Sequence, residues 1–464
     1  MAAGNSSMAN TLDPFIMPLP LLMRNATHAV DAFAYDIKTV EPDTSYVLTT
    51  NSTYANHNLT QLLTAGANNS PVLQPLTTSE ATNAYQVSFE EYHDPDYGNL
   101  GFIRSGKRFD FGTNTAFPNA VDSNKTTVSY MEYTQAEATG TPNMTTLPVC
   151  VTNDSGGKDT YFMYYGATAY SDKNGTVVQK DTDGERQWAV VLYTNGTARI
   201  GYRVIPLPDG SSIIGLNSCI VKLSSTGTVV WSKSFIMEVH QYRHVVFDDS
   251  YTYMYDIEDS QLRRITLATG EEAYRSLSSA FSSIKTSGNG YLVSTSATDN
   301  RRIAKDGNGN FWVLMKSGGI SDTVACFDQD WNFIGKYTFE QTIETSYRSY
   351  LHGIAADGDN IMLVGSTVRN SASPYLNCTF VSKLACDGTS TGVANISNSV
   401  EYGAREVLNI QYSTTQGGTV PSWTLYTPTN VSISRQTYAT YDIKDTLTTG
   451  TSITTKDAQS PTKL

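Results

Sequence analysis

The chain has 464 residues, a net charge of −12 and only 16% charged residues, against roughly 25% in an average soluble domain. Serine, threonine, asparagine, glycine and 29 tyrosines fill the missing share, and these residues favour strands and turns. A long helical bundle is therefore excluded. The acidic balance argues against binding of nucleic acid, which needs a basic face.

The first 80 residues show no regular hydrophobic period. Two apolar patches, at 14–23 and 29–35, alternate with polar stretches that cannot bury a core alone. We predict an extended N-terminal arm over residues 1–80, with a short helix near 59–65, that packs on another surface. Strand-like runs at 85–89 and 127–133 predict a small β region over residues 81–155.

From residue 156 onward, short strands alternate with Asn-Gly and Asp-Gly turns, which favour two-residue hairpin loops. A repeat begins at Asp209, Asp248, Asp306 and Asp357, with spacings of 39, 58 and 51 residues. A four-stranded propeller blade with variable loops has a similar length. We therefore predict a β-propeller over residues 156–445, followed by a Thr- and Ser-rich tail over 446–464.

Two motifs within this repeat resemble known propeller families. Leu223-x-x-Thr226-Gly227-x-x-x-Trp231 resembles the outer-strand turn of quinoprotein-like blades, and a shorter form follows at Leu267. Asp306-Gly-Asn-Gly-Asn-Phe-Trp312 is similar to the inner-strand turn of NHL and sensor-type propellers. The resemblance implies blades over roughly residues 160–400. The fold class we predict is all-β, a β-propeller of about five to seven four-stranded antiparallel blades preceded by the arm and the small β region.

The five cysteines form no CxxC pair. Cys378 and Cys386 flank one predicted strand, which separates them too far for a disulfide. We expect all five cysteines to be unpaired, in a protein that is made in a reducing compartment. No secretory signal or membrane-spanning segment is visible, so we expect a route other than secretion and no membrane insertion.

Three polar clusters invite a metal or catalytic interpretation. His240 and His244 have the spacing of a helical metal pair, but their β-forming neighbours favour loop histidines. The acidic run at 90–96 and the alternate oxygens of Asp306, Asn308 and Asn310 both fail the calcium-loop pattern, and turns are favoured. No nucleophile with a paired base is visible. We predict no catalytic residue, no metal site and no cofactor, and the ligand-binding residues stay unknown.

Basic and aromatic residues give weaker signals. Arg263-Arg264 and Arg301-Arg302 are isolated pairs, interpreted as solvated residues on strand edges. Aromatics suit sugar rings as well as blade cores; they comprise Tyr251, Tyr253, Tyr255, Trp312, Trp331 and Trp423.

The composition resembles that of tailed-bacteriophage virion proteins of the tail or neck. The leading hypothesis is a structural virion protein, located in the virion, with the propeller as a rigid platform and the arm as an assembly anchor. Its partners would be other virion proteins and copies of itself. The alternative is a carbohydrate-binding propeller, with or without glycosidase activity, that recognises cell-surface glycans near Trp312 or Trp331.

Overall fold

All regular structure in the described part of the chain is β-strand. The computed structural model describes residues 15–18, 32–41, 44–51, 57–63, 72–77, 86–94, 98–106, 117–122, 128–132, 143–144, 149–166, 175–182, 185–193, 201–216, 219–234, 245–258, 261–277, 303–315, 321–341, 347–369, 377–395, 407–416, 420–437 and 446–448. These residues contain no helix, and therefore none that could cross a membrane.

The strands are numbered in chain order. The first fourteen are β1 Phe15–Pro18, β2 Ala32–Glu41, β3 Thr44–Asn51, β4 His57–Leu63, β5 Val72–Thr77, β6 Gln86–Asp94, β7 Gly98–Gly106, β8 Phe117–Asp122, β9 Val128–Glu132, β10 Asn143–Met144, β11 Val149–Thr152, β12 Lys158–Gly166, β13 Gly175–Thr182 and β14 Glu185–Tyr193. The next fifteen are β15 Gly201–Pro206, β16 Ser212–Leu216, β17 Cys219–Leu223, β18 Val229–Ser234, β19 Val246–Phe247, β20 Tyr253–Glu258, β21 Gln261–Thr266, β22 Glu272–Ser276, β23 Ile303–Lys305, β24 Phe311–Met315, β25 Ser321–Phe327, β26 Phe333–Gln341, β27 Tyr347–Asp357, β28 Asn360–Arg369 and β29 Asn377–Ala385. The last five are β30 Gly392–Asn395, β31 Val407–Ser413, β32 Thr424–Tyr426, β33 Ser434–Thr437 and β34 Thr446–Thr448.

These strands form seven antiparallel sheets within the described ranges, and each is a meander of consecutive strands except in sheet III, where β10 and β11 both pair with β12. In chain order they are sheet I (β2–β5), sheet II (β6–β9), sheet III (β10–β14), sheet IV (β15–β18), sheet V (β19–β22), sheet VI (β23–β26) and sheet VII (β27–β29). The short turns within each sheet explain this arrangement, because a two- to five-residue loop joins antiparallel neighbours.

The terminal segments add further strands to the outer edges of these sheets. From the N-terminal side, β1 pairs with β29 of sheet VII. From the C-terminal side, β31 pairs with β26 and with β30, β32 pairs with β22, β33 pairs with β14, and β34 pairs with β9. Between β32 and β33, Asn430 bridges to Lys233 of sheet IV. The described residues between 407 and 448, which we call the C-terminal strap, thus pair with sheets VI, V, IV, III and II, in the reverse of the order of these sheets along the chain.

The first strands of neighbouring sheets, or in sheet III the second strand β11, lie against each other. β6 contacts both β2 and β11, and β11 also contacts β15. β23 contacts both β19 and β27, and β27 contacts β2. Sheets IV and V meet through a shared apolar cluster that includes Ile213 and Ile265. Each of the seven sheets therefore has a neighbour on both sides, and sheet VII returns to sheet I.

The described core consists of layers between consecutive sheets. Sheets III and IV bury Val190 and Ile214 in one cluster, and sheets V and VI bury Leu262 and Phe311 in another. Sheets VI and VII form a third cluster around Trp312. These strands carry consecutive buried residues, as in β16 and β24, because both of their faces are covered by neighbouring sheets.

One contact recurs between four consecutive pairs of sheets. A long side chain on the last strand of one sheet donates a hydrogen bond to a backbone carbonyl at the end of the third strand of the next sheet or in the turn that follows that strand. The bonds are Trp188 Nε1 to Ser225 O at 2.8 Å, Trp231 Nε1 to Leu267 O at 3.0 Å, Arg275 Nη2 to Trp331 O at 2.8 Å and Tyr337 OH to Ala385 O at 2.6 Å.

Glycine is required where two of these donors approach the turn. Gly227 has a φ of +73°, and a Cβ added there would lie 2.8 Å from Cδ2 of the Trp188 ring. Gly270 has a φ of +70°, and its Cβ would lie 2.8 Å from Cε3 of Trp231. Only glycine combines the left-handed backbone with so close an approach of a ring. The Thr-Gly motif noted in the sequence is thus a docking surface for the preceding sheet.

A buried ion pair within sheet III is hydrogen-bonded to a turn of sheet IV. Lys180 Nζ lies 2.7 Å from Asp159 Oδ2 and 3.3 Å from the Gly210 carbonyl, and both side chains are buried. The Tyr161 hydroxyl donates to the same carbonyl at 2.7 Å. Burial, together with the carboxylates of Asp159 and Asp209, raises the pKa of Tyr161, which therefore stays a neutral donor. These groups serve structure, since their polar atoms face one another inside the core.

Several sequence predictions are confirmed by these elements. The all-β class is correct, and the four Asp anchors lie at the connections between the first and second strands of sheets IV to VII, although Asp209 is the third residue of its turn whereas Asp306 begins its own. Cys219, Cys326 and Cys386 are free, and β29 separates Cys378 from Cys386 as predicted.

Other predictions differ from the structure. The helix predicted near 59–65 is wrong, because residues 57–63 form β4, the third strand of a sheet. Within residues 1–80, five strands occur where the sequence suggests an extended arm, and β2–β5 are paired as a meander. Polar residues interrupt the apolar alternation of these strands, as in β3, so the sequence shows no strand period there. The domain boundaries themselves stay predictions.

Candidate functional site

A cavity of about 450 Å³ opens where the first strands of several sheets meet. Its walls come from β2, β19, β23 and β27 and from the turn that follows β19. The apolar part of the lining comprises Val245, Val246, Phe247, Ile303, Ala304, Ile354, Ala355 and Ala356. Small-molecule sites in proteins commonly have roughly this size, about 300–1,000 Å³, and a mostly apolar lining with a few polar groups.

Tyr251 is the most unusual residue of this lining. Its φ is +51°, and its side chain is 46% exposed although it belongs to a cavity wall. The ring lies 5.1 Å from the ring of Phe247, and its backbone N–H donates to the Asp248 carbonyl. A left-handed conformation costs a tyrosine on the order of 1 kcal/mol, and such strain is concentrated at functional positions.

The charged groups of the lining are paired with each other or with the backbone. Asp249 accepts hydrogen bonds from Lys305 Nζ and, at 2.6 Å, from Gln329 Nε2. Asp248 accepts the Tyr253 backbone N–H at 2.6 Å and the Ser250 hydroxyl. The hydrogen bond from Lys305 holds the pKa of the Asp249 carboxyl below its usual value.

Tyr251 remains a neutral donor at physiological pH. Burial raises the pKa of its hydroxyl, and the Asp154 carboxylate, on the turn between β11 and β12, raises it further. The lining contains no histidine, cysteine or serine, and its one lysine is bound to a carboxylate. The arrangement is therefore suited to binding, with an aromatic ring, a hydroxyl donor and carboxylate acceptors around an apolar floor.

The structure places the predicted aromatic residues in different environments. Trp312 and Trp331 are buried, so a glycan cannot stack on either ring. Tyr255 is buried too, and it packs 5.1 Å from Phe311. The alternation of the three tyrosines on one strand is only partly correct, because Tyr251 precedes β20 and belongs to the turn.

The Asp306 turn is a structural unit. The Asp306 carboxylate is buried and accepts backbone N–H bonds from Asn308 and Asn310, each at 2.9 Å, and the Trp312 indole N–H at 2.8 Å. The Cys386 thiol also hydrogen-bonds to this carboxylate, and burial raises the pKa of the thiol. The turn interpretation is supported, since a carboxylate with four donors is fully occupied.

The arginine pair 263–264 is not solvated as the sequence suggests. Arg263 is buried with Glu272, 3.8 Å away, and Arg264 lies 4.5 Å from the ring centres of both Tyr253 and Trp423. Arg264 therefore packs sheet V against the strap, whereas Arg263 is paired within sheet V. Burial raises the pKa of Glu272, and Arg263 partly counteracts this shift.

The predicted acidic run, the histidine pair and the second arginine pair lie in β6 or outside the described residues. Glu90, Glu91, His93 and Asp94 lie in β6, and Asp96 lies outside the described residues. His240, His244 and the pair 301–302 also lie outside them. Among the residues that the structure describes, no group of histidine, cysteine, aspartate and glutamate side chains could hold a metal ion.

Sequence reasoning missed Phe247, Asp249 and Lys305. These residues are distant in sequence, and they meet only because β19 and β23 begin neighbouring sheets. A local signal existed in the paired carboxylates 248–249 next to an aromatic-rich turn, since such turns present side chains at the end of a sheet.

No family model and no curated protein matches the chain. Among solved structures, a puromycin-hydrolysing peptidase from Mycobacterium tuberculosis aligns with 12% identity and a TM-score of 0.39, over 78% of this chain and 54% of the peptidase. The chain thus spans about half the length of that protein. A protein of unknown function from Bacteroides caccae aligns with 14% identity and a TM-score of 0.23, over 51% of this chain and 92% of that one. The extracellular domain of a one-component system from Bacteroides thetaiotaomicron aligns with 9% identity and a TM-score of 0.17, over 84% of this chain and 76% of that one.

Proposed function

We propose that the chain is a seven-bladed β-propeller that serves as a structural component of a virus particle. The observation that carries the fold is the neighbour relation of the sheets: each of the seven lies between two others through their first strands or a shared core. Sheets IV to VII would be the four blades whose anchors recur in the sequence. Sheets I to III would be three further blades.

The terminal segments support closure of this ring. In propellers the last blade is commonly completed by a strand from the opposite terminus, and β1 pairs with sheet VII in this way. The C-terminal strap adds hydrogen bonds along the outer edges of five sheets. Covered edges resist unwanted strand pairing, which is a recurrent requirement of β proteins at high local concentration.

A structural role in a particle is supported by the same features. The cross-sheet hydrogen bonds and the strap make the body rigid without disulfides among the described cysteines. Its polar, tyrosine-rich composition resembles virion proteins of phage tails and necks. Its partners would then be other virion proteins and copies of itself.

The fold is tested by small-angle scattering and by truncation. A compact body of this length has a radius of gyration of about 23 Å, whereas sheets strung along an open chain give a clearly larger value. A chain that starts at Ala32 lacks β1, and one that starts at Asp13 retains it. We expect the shorter chain alone to lose stability. Equal stability of the two chains would contradict closure by β1.

The structural role in a particle is tested by co-purification from the cells that produce the protein. A tagged copy should co-purify with density-gradient-purified particles at a fixed ratio to the other particle proteins. A copy that is found only in the soluble fraction, while particles form normally without it, would overturn the structural role and leave the propeller fold untouched.

A further inference from the structure

We propose that the cavity at the first strands binds a neutral sugar ring, with Tyr251 as its stacking surface. This assignment is separate from the structural role in a particle and concerns one face of the molecule. It starts from Tyr251, an exposed aromatic ring held in a left-handed backbone conformation at the cavity wall. A glycine or asparagine would adopt that conformation with less strain.

The Tyr251 ring and the polar groups beside it suit the apolar face and the hydroxylated edge of a pyranose. Tyr251 is supported from one side by Phe247, 5.1 Å away, so the ring presents a fixed apolar face. Sugar rings carry C–H groups on their faces and hydroxyls around their edge, which favours one aromatic face with polar groups beside it. Asp248, Asp249 and Lys305 supply those polar groups at the same cavity.

Charge decides between neutral and charged ligands. Lys305 is already bound to Asp249, so an anion would have to displace a carboxylate and approach Asp248 as well. A cation would have to displace Lys305 from Asp249. Both carboxylates have partners on each oxygen and still retain lone pairs that can accept hydroxyl hydrogen bonds. A neutral, hydroxyl-rich ligand makes use of these acceptors without breaking an ion pair.

The experiment is saturation-transfer difference NMR on the full chain. The probes are glucose, galactose, mannose, N-acetylglucosamine, lactose and cellobiose, with N-acetylneuraminic acid and glucose 6-phosphate as anionic counterparts. We expect saturable transfer from at least one neutral sugar at millimolar concentration and none from the anions. Absence of saturable binding by every neutral probe would overturn the assignment, as would preferential binding of an anion.

The role of Tyr251 is tested by two variants that suit its backbone. Tyr251→Gly and Tyr251→Asn both remove the ring, and neither should lower the melting temperature, because both residues tolerate a φ of +51°. We expect about a tenfold loss of sugar affinity in both, the size of one aromatic contact. The control Tyr426→Ala alters a tyrosine of β32 outside the cavity lining and should bind as the unaltered chain does. Unchanged affinity in the folded Tyr251 variants would refute the role of the ring.

Discussion

Replacement of Gly227 by alanine tests whether the sheets dock through their turns. The new methyl group meets two penalties that can be worked out separately. The φ of +73° costs an L-residue about 1–2 kcal/mol. The approach of 2.8 Å to the Trp188 ring forces an overpacking displacement that costs about 1–3 kcal/mol more. We expect the free energy of unfolding to fall by about 2–5 kcal/mol, the sum of these two effects.

The matched control is Gly156→Ala. Gly156 has a φ of +84°, and a Cβ there would have no neighbour within 4 Å. It should therefore show the conformational cost alone, about 1–2 kcal/mol. Urea unfolding followed by tryptophan fluorescence gives both values, with the slope checked for constancy. The difference between the two variants measures the docking contact.

A second background sharpens this test. In a chain that carries Trp188→Leu, the ring that the methyl group meets is gone, so Gly227→Ala should cost only about as much as Gly156→Ala. If Gly227→Ala and Gly156→Ala lower stability equally, or if the Trp188→Leu background leaves the cost of Gly227→Ala unchanged, the contact between sheets III and IV is not the one described.

Three further predictions concern the Asp306 turn and the cavity. Asp306→Ala leaves a buried indole N–H and two partly buried backbone amides without an acceptor, and should cost about 3 kcal/mol or more in urea unfolding, whereas Asp328→Ala in the exposed turn should cost about 1 kcal/mol. Equal costs would contradict a structural Asp306. Lys305→Met should raise the pKa of Asp249, which carboxyl-carbon NMR can follow. In the unaltered chain, the lowered pKa of Asp249 contributes stability at pH values above 3.8, the ordinary pKa of the group, and this contribution is lost as the pH falls through the lowered pKa. An unmoved pKa would refute the pairing. Cys386 should react with iodoacetamide at mildly alkaline pH far more slowly in the native than in the urea-unfolded chain, since burial raises the pKa of its thiol, and equal peptide-level labelling would contradict this.

The sequence predicted the hairpin body well because its signals are local. Turn residues at positive φ, such as Gly210, Gly309 and Gly388, mark the ends of strands, and the strands between them are apolar on both faces. The turn at Gly227 was visible as a Thr-Gly motif, but its docking role was not, because its partner Trp188 lies in another sheet. Local patterns therefore located the strands and the turns.

The terminal regions could not be predicted in the same way. β1, β33 and β34 are only three or four residues long, and their partners lie far away along the chain. Such strands are defined by the edge they join, so neither hydrophobic period nor composition reveals them. The candidate site has the same origin, since Asp249 and Lys305 become neighbours only when sheets V and VI pack together.

The C-terminal strap sets the order in which the molecule can be completed during synthesis. β34 pairs with β9, so sheet II receives its outermost strand from residues that are made long after β9, and β1 can pair only after β29 is made. At about 5–20 residues per second, the early strands are exposed on the order of half a minute before these partners leave the ribosome. Contacts between such distant segments form slowly because a long loop must close first. The hairpins of each sheet can thus form first, and these edge pairings follow later.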